Sequence, residues 1–142
     1  MSFFLDLAHD DVKPSKPCQV FELLQKHKNC KTIWLATFNI SESVIEELNK
    51  LSSKYRIRVI AAKLPQGIKL QNLKFFCQLT PWNHAKVWGF DNHVYAGSSN
   101  LSDDTILNLM FKLNKKQAEA VANWYLKLST FTSHESKTVI IR

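Results

Sequence analysis

The sequence predicts an α/β domain with a mixed, largely parallel central sheet flanked by helices. Three observations predict it. An apolar, β-branched and aromatic run at 31–40 is followed by a helical stripe and a second apolar run at 56–62, the order of a right-handed parallel βαβ unit. Residues 83–96 form two short strand-like stretches on either side of Asp91-Asn92, a turn dipeptide that joins antiparallel strands. Apolar stripes of helical period precede the first unit and follow the second.

Taken in order, Phe3 to Leu7 is a short apolar stretch that predicts an edge strand before the acidic loop His9-Asp10-Asp11. Pro14 and Pro17 punctuate a helix start, and Val20, Phe21, Leu23, Leu24 and His27 form its stripe, ending near Asn29. His27, between Lys26 and Lys28, reads as a solvated histidine. Lys31 to Ile40 is too continuously apolar for a half-exposed strand and is expected at the sheet centre. Ser43 with Glu46 predicts a capping box, and Val44, Ile45, Leu48 and Leu51 the buried face of the next helix. The strand Arg56 to Ala62 follows directly.

Lys63 to Thr80 shows no sustained period until Leu73-Lys74-Phe75-Phe76, which predicts a loop leading to a short strand. Lys63, Lys69 and Lys74 there are candidates for contacts with a nucleic-acid backbone, the alternative being a solvated loop. Trp82 is expected to seal the core, with base stacking as the alternative. Past the hairpin, Asp103-Asp104-Thr105 predicts a turn and Ile106 to Leu113 a strand. Asn114 and Gln117 cap a helix with the face Ala118, Val121, Ala122, Tyr125 and Leu128, and Thr138 to Arg142 predicts an edge strand.

The 142 residues fit one domain, 1–142, and 45% apolar residues with 3 glycines and 4 prolines argue against disorder. A net charge of +7 with pI near 9.4 points to a polyanionic partner. Cys18, Cys30 and Cys77 are odd in number and fit neither a disulfide framework nor metal-ligand spacing. A reducing, cytoplasmic setting is therefore expected, and neither a signal peptide nor a membrane span is apparent.

The chemistry concentrates in residues 83–100. On a strand, His84 and Lys86 would leave the same face side by side, while Gly97-Ser98-Ser99-Asn100 ends the returning strand in small, hydrogen-bonding residues. A lysine, an asparagine amide and a serine hydroxyl can hold phosphoryl oxygens without a metal, and histidine can attack phosphorus and move protons near neutral pH. The spacing His84-x-Lys86-x4-Asp91-x5-Gly97-Ser98-x-Asn100 resembles the HKD motif of the phospholipase D superfamily, whose usual form has six residues between the aspartate and the glycine. The segment 31–62 also looks like the amino-terminal half of phospholipase D-type domains, so the resemblance covers about two-thirds of the chain and implies a phospholipase D-like α/β/α sandwich.

Phospholipase D-like enzymes bring two such motifs face to face, one histidine forming a phosphohistidine and the other serving as acid and then base. One motif is present here, which implies a homodimer with a shared site. The resemblance makes His84 the nucleophile in one subunit and the leaving-group acid in the other, with Lys86 and Asn100 on phosphate oxygens. Ser98 would support the phosphate or orient the histidine, while Asp91 holds the turn and Gly97 serves the motif's backbone. Relatives commonly carry an Asn-x-Glu acid that orients the histidine. Asn108 matches the asparagine, whereas Met110 occupies the acid position, leaving Asp103 or Asp104 as substitutes.

The expected activity is a metal-independent endonuclease acting on DNA or RNA, with no cofactor and no stable membrane insertion. The alternatives are a nucleic-acid-binding module of the same fold without turnover and, from another substrate class, a phospholipase or phosphatidyltransferase.

Overall fold

The computed structural model describes residues 18–102, 109–131 and 138–139. The expected strand at Phe3 to Leu7, the acidic loop after it, the turn at Asp103 to Thr105 and Asn108 lie outside the described residues. In chain order the elements are α1 (Gln19–Lys26), β1 (Thr32–Thr37), α2 (Glu42–Leu51), β2 (Arg56–Ala61), a 3-10 turn at Leu70–Asn72, β3 (Phe76–Leu79), β4 (Val87–Phe90), β5 (His93–Gly97), β6 (Met110–Lys112), α3 (Lys115–Phe131) and β7 (Thr138–Val139).

β1 is the middle strand of one mixed sheet ordered β6-β5-β4-β1-β2-β3-β7. Its continuous apolar run is explained by burial on both faces. Ile33 and Leu35 join a core with Val20, Leu23 and Leu24 of α1 and Val44, Ile45 and Leu48 of α2. Trp34 and Ala36 point into a second core with Ala118 and Tyr125 of α3. Helices therefore cover both faces, as expected for an α/β/α sandwich. Tyr125 is buried, and its hydroxyl donates to the Leu35 carbonyl at 3.0 Å, tying α3 to the centre of the sheet.

β1, β2 and β3 pair in parallel, with Thr37 beside Ala61 and Ala61 beside Leu79. The remaining pairings, β1–β4, β4–β5, β5–β6 and β3–β7, are antiparallel. The C-terminal ends of the parallel strands thus lie at the same end of the sheet as the start of β4 and the end of β5.

Several sequence expectations shift by a few residues, each for a local reason. The cap of α2 is Ser41, not Ser43: its extended backbone lets the hydroxyl accept from Val44 N–H at 3.3 Å. The strand expected from Leu73 begins at Phe76, because Leu70–Asn72 forms a 3-10 turn and Lys74 N–H is taken by the Asn49 side chain at 2.8 Å. Trp82 is 48% exposed and does not seal the core. Asn83 N–H closes a turn on the Thr80 carbonyl at 2.9 Å, which puts Pro81 and Trp82 at its outer corner. The expected capping of α3 is present in reciprocal form, with Asn114 Oδ1 accepting from Gln117 N–H and Gln117 Oε1 from Asn114 N–H. Of the tail strand, Thr138–Val139 pairs with β3.

Gly89 of β4 faces Trp34 across the ladder, and a Cβ there would lie 2.0 Å from the indole Cε2. That indole is held from both sides, donating its N–H to the Asp91 carbonyl at 3.0 Å and meeting Tyr125 edge-on at 4.9 Å. Gly89→Ala is expected to lower the free energy of unfolding by about 3 kcal/mol, the upper range for overpacking, as read from urea denaturation.

At the other end of the sheet His27 is half-buried rather than freely solvated. It stacks on His93 at 4.4 Å and shares a hydrogen bond with the Tyr95 hydroxyl at 2.9 Å. Burial, followed by the charges of His93, Lys112 and Lys26, pushes its pKa below the ordinary histidine value of 6.5. The unfolded chain then binds more protons than the fold, so this contribution is present above pH 6.5 and is lost as pH falls below it through the folded value. Thermal denaturation should show stability declining over that window, with the slope reduced in His27→Phe.

Candidate active site

Thr37, the last residue of β1, is fully buried and organises the site. Its carbonyl accepts from Asn83 Nδ2 at 3.0 Å, and its hydroxyl accepts from Leu101 N–H at 3.1 Å. Asn83 also takes the Ala85 N–H and donates to the Ala85 carbonyl, both at 3.2 Å. These local bonds satisfy the backbone that a strand ladder would otherwise use. β4 therefore starts at Val87, and His84 and Lys86 stand on an irregular approach to it instead of on a strand, as the alternation predicted.

Asn100 reaches the same strand end from the other half of the motif. Its Oδ1 accepts from Phe38 N–H at 3.2 Å and Asn39 N–H at 3.1 Å, and lies 3.2 Å from the Thr37 hydroxyl. Its Nδ2 has no partner among the described residues and is left to donate. The two halves meet directly where Gly97 N–H donates to the Lys86 carbonyl at 3.2 Å. His84, Lys86 and Asn100 are thereby gathered at the C-terminal end of β1.

His84 is exposed, and its imidazole lies nearly parallel to the Phe38 ring, with centroids 4.7 Å apart and planes 11° apart. Neither ring nitrogen has a hydrogen-bond partner among the described residues. Lys86 Nζ donates to the His84 carbonyl at 2.9 Å, and among the described residues its other two N–H groups are open to an anion. Lys63 follows β2 and places its ammonium 5.2 Å from the Phe38 centroid, so a cation borders the ring on which His84 stacks. A cleft of about 330 Å³ opens alongside, lined in part by Asn39, Lys63, Gln66, Asn100 and Ser102.

The other motif residues hold backbone together. Asp91 occupies the left-handed region (φ 53°) in the β4–β5 turn, and its carboxylate accepts from Lys31 N–H and Thr32 N–H at 3.0 to 3.2 Å. It lies at the far end of the sheet from His84, consistent with a turn-holding residue. Ser98 Oγ accepts from Leu109 N–H at 3.0 Å and faces the Leu109 carbonyl at 3.4 Å, which joins β5 to the segment entering β6. It makes no bond to His84. At Gly97 a Cβ would sit 1.9 Å from the Leu109 carbonyl oxygen, so glycine is required here by the approach of two backbones. Met110, opposite Gly97, packs against the main core.

Of the lysines singled out in the loop, only Lys63 borders the site. Lys69 is exposed further along, before the 3-10 turn. Lys74 precedes β3 and is bonded through its backbone to Asn49, at the opposite end of the parallel strands. Trp82, two residues before His84, is exposed beside it in sequence. Sequence reasoning missed Thr37 and Asn83 as the buried hub and Phe38 as the partner of His84. The visible signal was Thr37 and Asn39 flanking an aromatic residue at the end of an otherwise apolar run. Among the described residues no group of three or more His, Cys, Asp or Glu is placed to hold a metal ion, and no helix is long and apolar enough to cross a membrane.

The sheet order and the helices on both faces give an α/β/α fold like that of solved phospholipase D family structures. Similar solved structures include a phospholipase D family member, Nuc from Salmonella typhimurium, with a TM-score of 0.63 at 14% identity over 84% of this chain and 90% of that one. NucT from Helicobacter pylori superposes with a TM-score of 0.57 at 14% identity, over 76% and 85% of the two chains. Polyphosphate kinase from Porphyromonas gingivalis matches with a TM-score of 0.57 at 13% identity, covering 78% of this chain and 20% of the kinase. No family model and no curated protein sequence matches the chain.

Among the described residues Asn100 combines an occupied acceptor with an open amide donor, so substitutions can separate what the two atoms do. Asn100→Ala orphans backbone N–H groups and should cost about 1–3 kcal/mol of stability. Asn100→Asp keeps the acceptor and should hold near-wild-type stability, yet bind inorganic phosphate about tenfold more weakly or worse through like-charge repulsion. Denaturation and calorimetric titration check the pair.

Proposed function

We propose that the protein is a phosphodiesterase, an endonuclease cleaving DNA or RNA through a phosphohistidine in a site shared by two copies of the chain. The observation that carries this is the gathering of His84, Lys86 and Asn100 at one end of a phospholipase D-type sheet, with neither imidazole nitrogen bonded among the described residues. An imidazole nitrogen of one His84 attacks phosphorus, and the bond from phosphorus to the departing sugar oxygen breaks. The partner subunit's His84 gives that oxygen a proton. It then takes a proton from water, whose oxygen displaces the first imidazole from phosphorus. Lys86, the Asn100 amide and Lys63 offset the charge on the phosphoryl oxygens. The excess of cations favours a polyanionic strand over a neutral substrate, and binding should weaken steeply with salt.

A second reading, a nucleic-acid-binding module without turnover, is favoured by one observation. Met110 lies packed against the core where phospholipase D-like chains commonly place an acid.

Cleavage of an oligonucleotide in the presence of a chelator tests the proposal. His84→Ala should lower the rate by roughly three orders of magnitude or more, and Lys86→Ala by about 10²–10³-fold. Light scattering should give twice the chain mass. Activity surviving in His84→Ala, or a monomer that cleaves, would overturn the mechanism. Salt-sensitive binding without release of fragments would establish the second reading instead.

A further inference from the structure

His84 needs an orienting partner. A histidine that attacks phosphorus must keep the attacking nitrogen open and aimed, and a hydrogen bond to the other nitrogen is the usual means of holding such a ring. Among the described residues neither nitrogen has such a bond, and the residue paired with Gly97 on β6 is Met110 rather than an acid. What does touch the imidazole is Phe38. The rings are 4.7 Å apart at 11°, a contact that restricts rotation about the ring plane while leaving both nitrogens uncovered.

Phe38 is itself held. Its backbone N–H donates to Asn100 Oδ1 at 3.2 Å, and it follows the buried Thr37 whose carbonyl anchors Asn83, the residue before His84. The Lys63 ammonium lies 5.2 Å from the same ring, a second contact on the aromatic side chain. The ring therefore stands on the element that also positions both flanks of the motif.

We infer that Phe38 is a positioning residue for His84: its ring holds the imidazole by stacking. The inference rests on His84 being the phosphate-facing group of the proposed function. Stacking has a chemical consequence, since a contact with the ring face leaves the ring nitrogens open for attack and for proton transfer.

The test compares Phe38→Leu with Phe38→Tyr, using two readouts on folded protein. The first is the displacement of the His84 ring resonances on adding inorganic phosphate, which requires no turnover. It should be present in the wild type, lost in Phe38→Leu and restored in Phe38→Tyr. The second is steady-state cleavage, in which Phe38→Leu should lower kcat about 10- to 100-fold, as misaimed groups do, with KM within about twofold, and Phe38→Tyr should recover it. A phosphate response in Phe38→Leu equal to that of the wild type would overturn the inference whether or not the protein cleaves. If the wild type does not cleave while the response is lost in Phe38→Leu, Phe38 keeps its role and the endonuclease proposal alone fails.

Discussion

The buried end of β1 is the constraint on which the site depends. Thr37 has no exposed surface, and two asparagines from distant parts of the chain satisfy the polar groups around it. A buried polar group without a partner is costly, so Asn83 and Asn100 are held firmly once β1 is packed. Because Asn83 precedes His84 and Asn100 closes the motif, the same bonds that complete the core also set the chemistry in place.

This coupling explains an otherwise awkward cluster. Lys63 and an exposed histidine share the Phe38 ring and Lys86 is bonded to that histidine's carbonyl, an arrangement that favours an anion at that end of the sheet. Parallel strands place their C-terminal ends together, and loops leaving them can converge without crossing the core. β2 delivers Lys63 there by the same route, while Lys74 is carried to the opposite end simply because it enters its strand instead of leaving it. Equal charge in the sequence thus has unequal relevance in space.

The motif also divides its labour. Asp91 and Gly97 serve the backbone, one by accepting N–H groups in a left-handed turn and the other by admitting a neighbouring carbonyl. Ser98 ties β5 to β6. Among the described residues His84, Lys86 and the Asn100 amide keep unspent hydrogen-bonding capacity, which an anion could use.

Much of this was legible in the chain. The unbroken apolar run of β1, the helical stripes of α1, α2 and α3, the hairpin turn at Asp91 and the spacing from His84 to Asn100 follow from periodicity and turn chemistry, which depend on near neighbours in sequence. What the tertiary structure alone decided were the long-range partners: Asn83 and Asn100 on Thr37, the Phe38 ring against His84, Lys63 near the site with Lys74 excluded, and Trp82 turned outward. Local pattern specifies which face of a strand is buried. It does not specify which distant polar group will meet a buried carbonyl, because that choice is made only when the sheet closes and every enclosed donor and acceptor must find a mate.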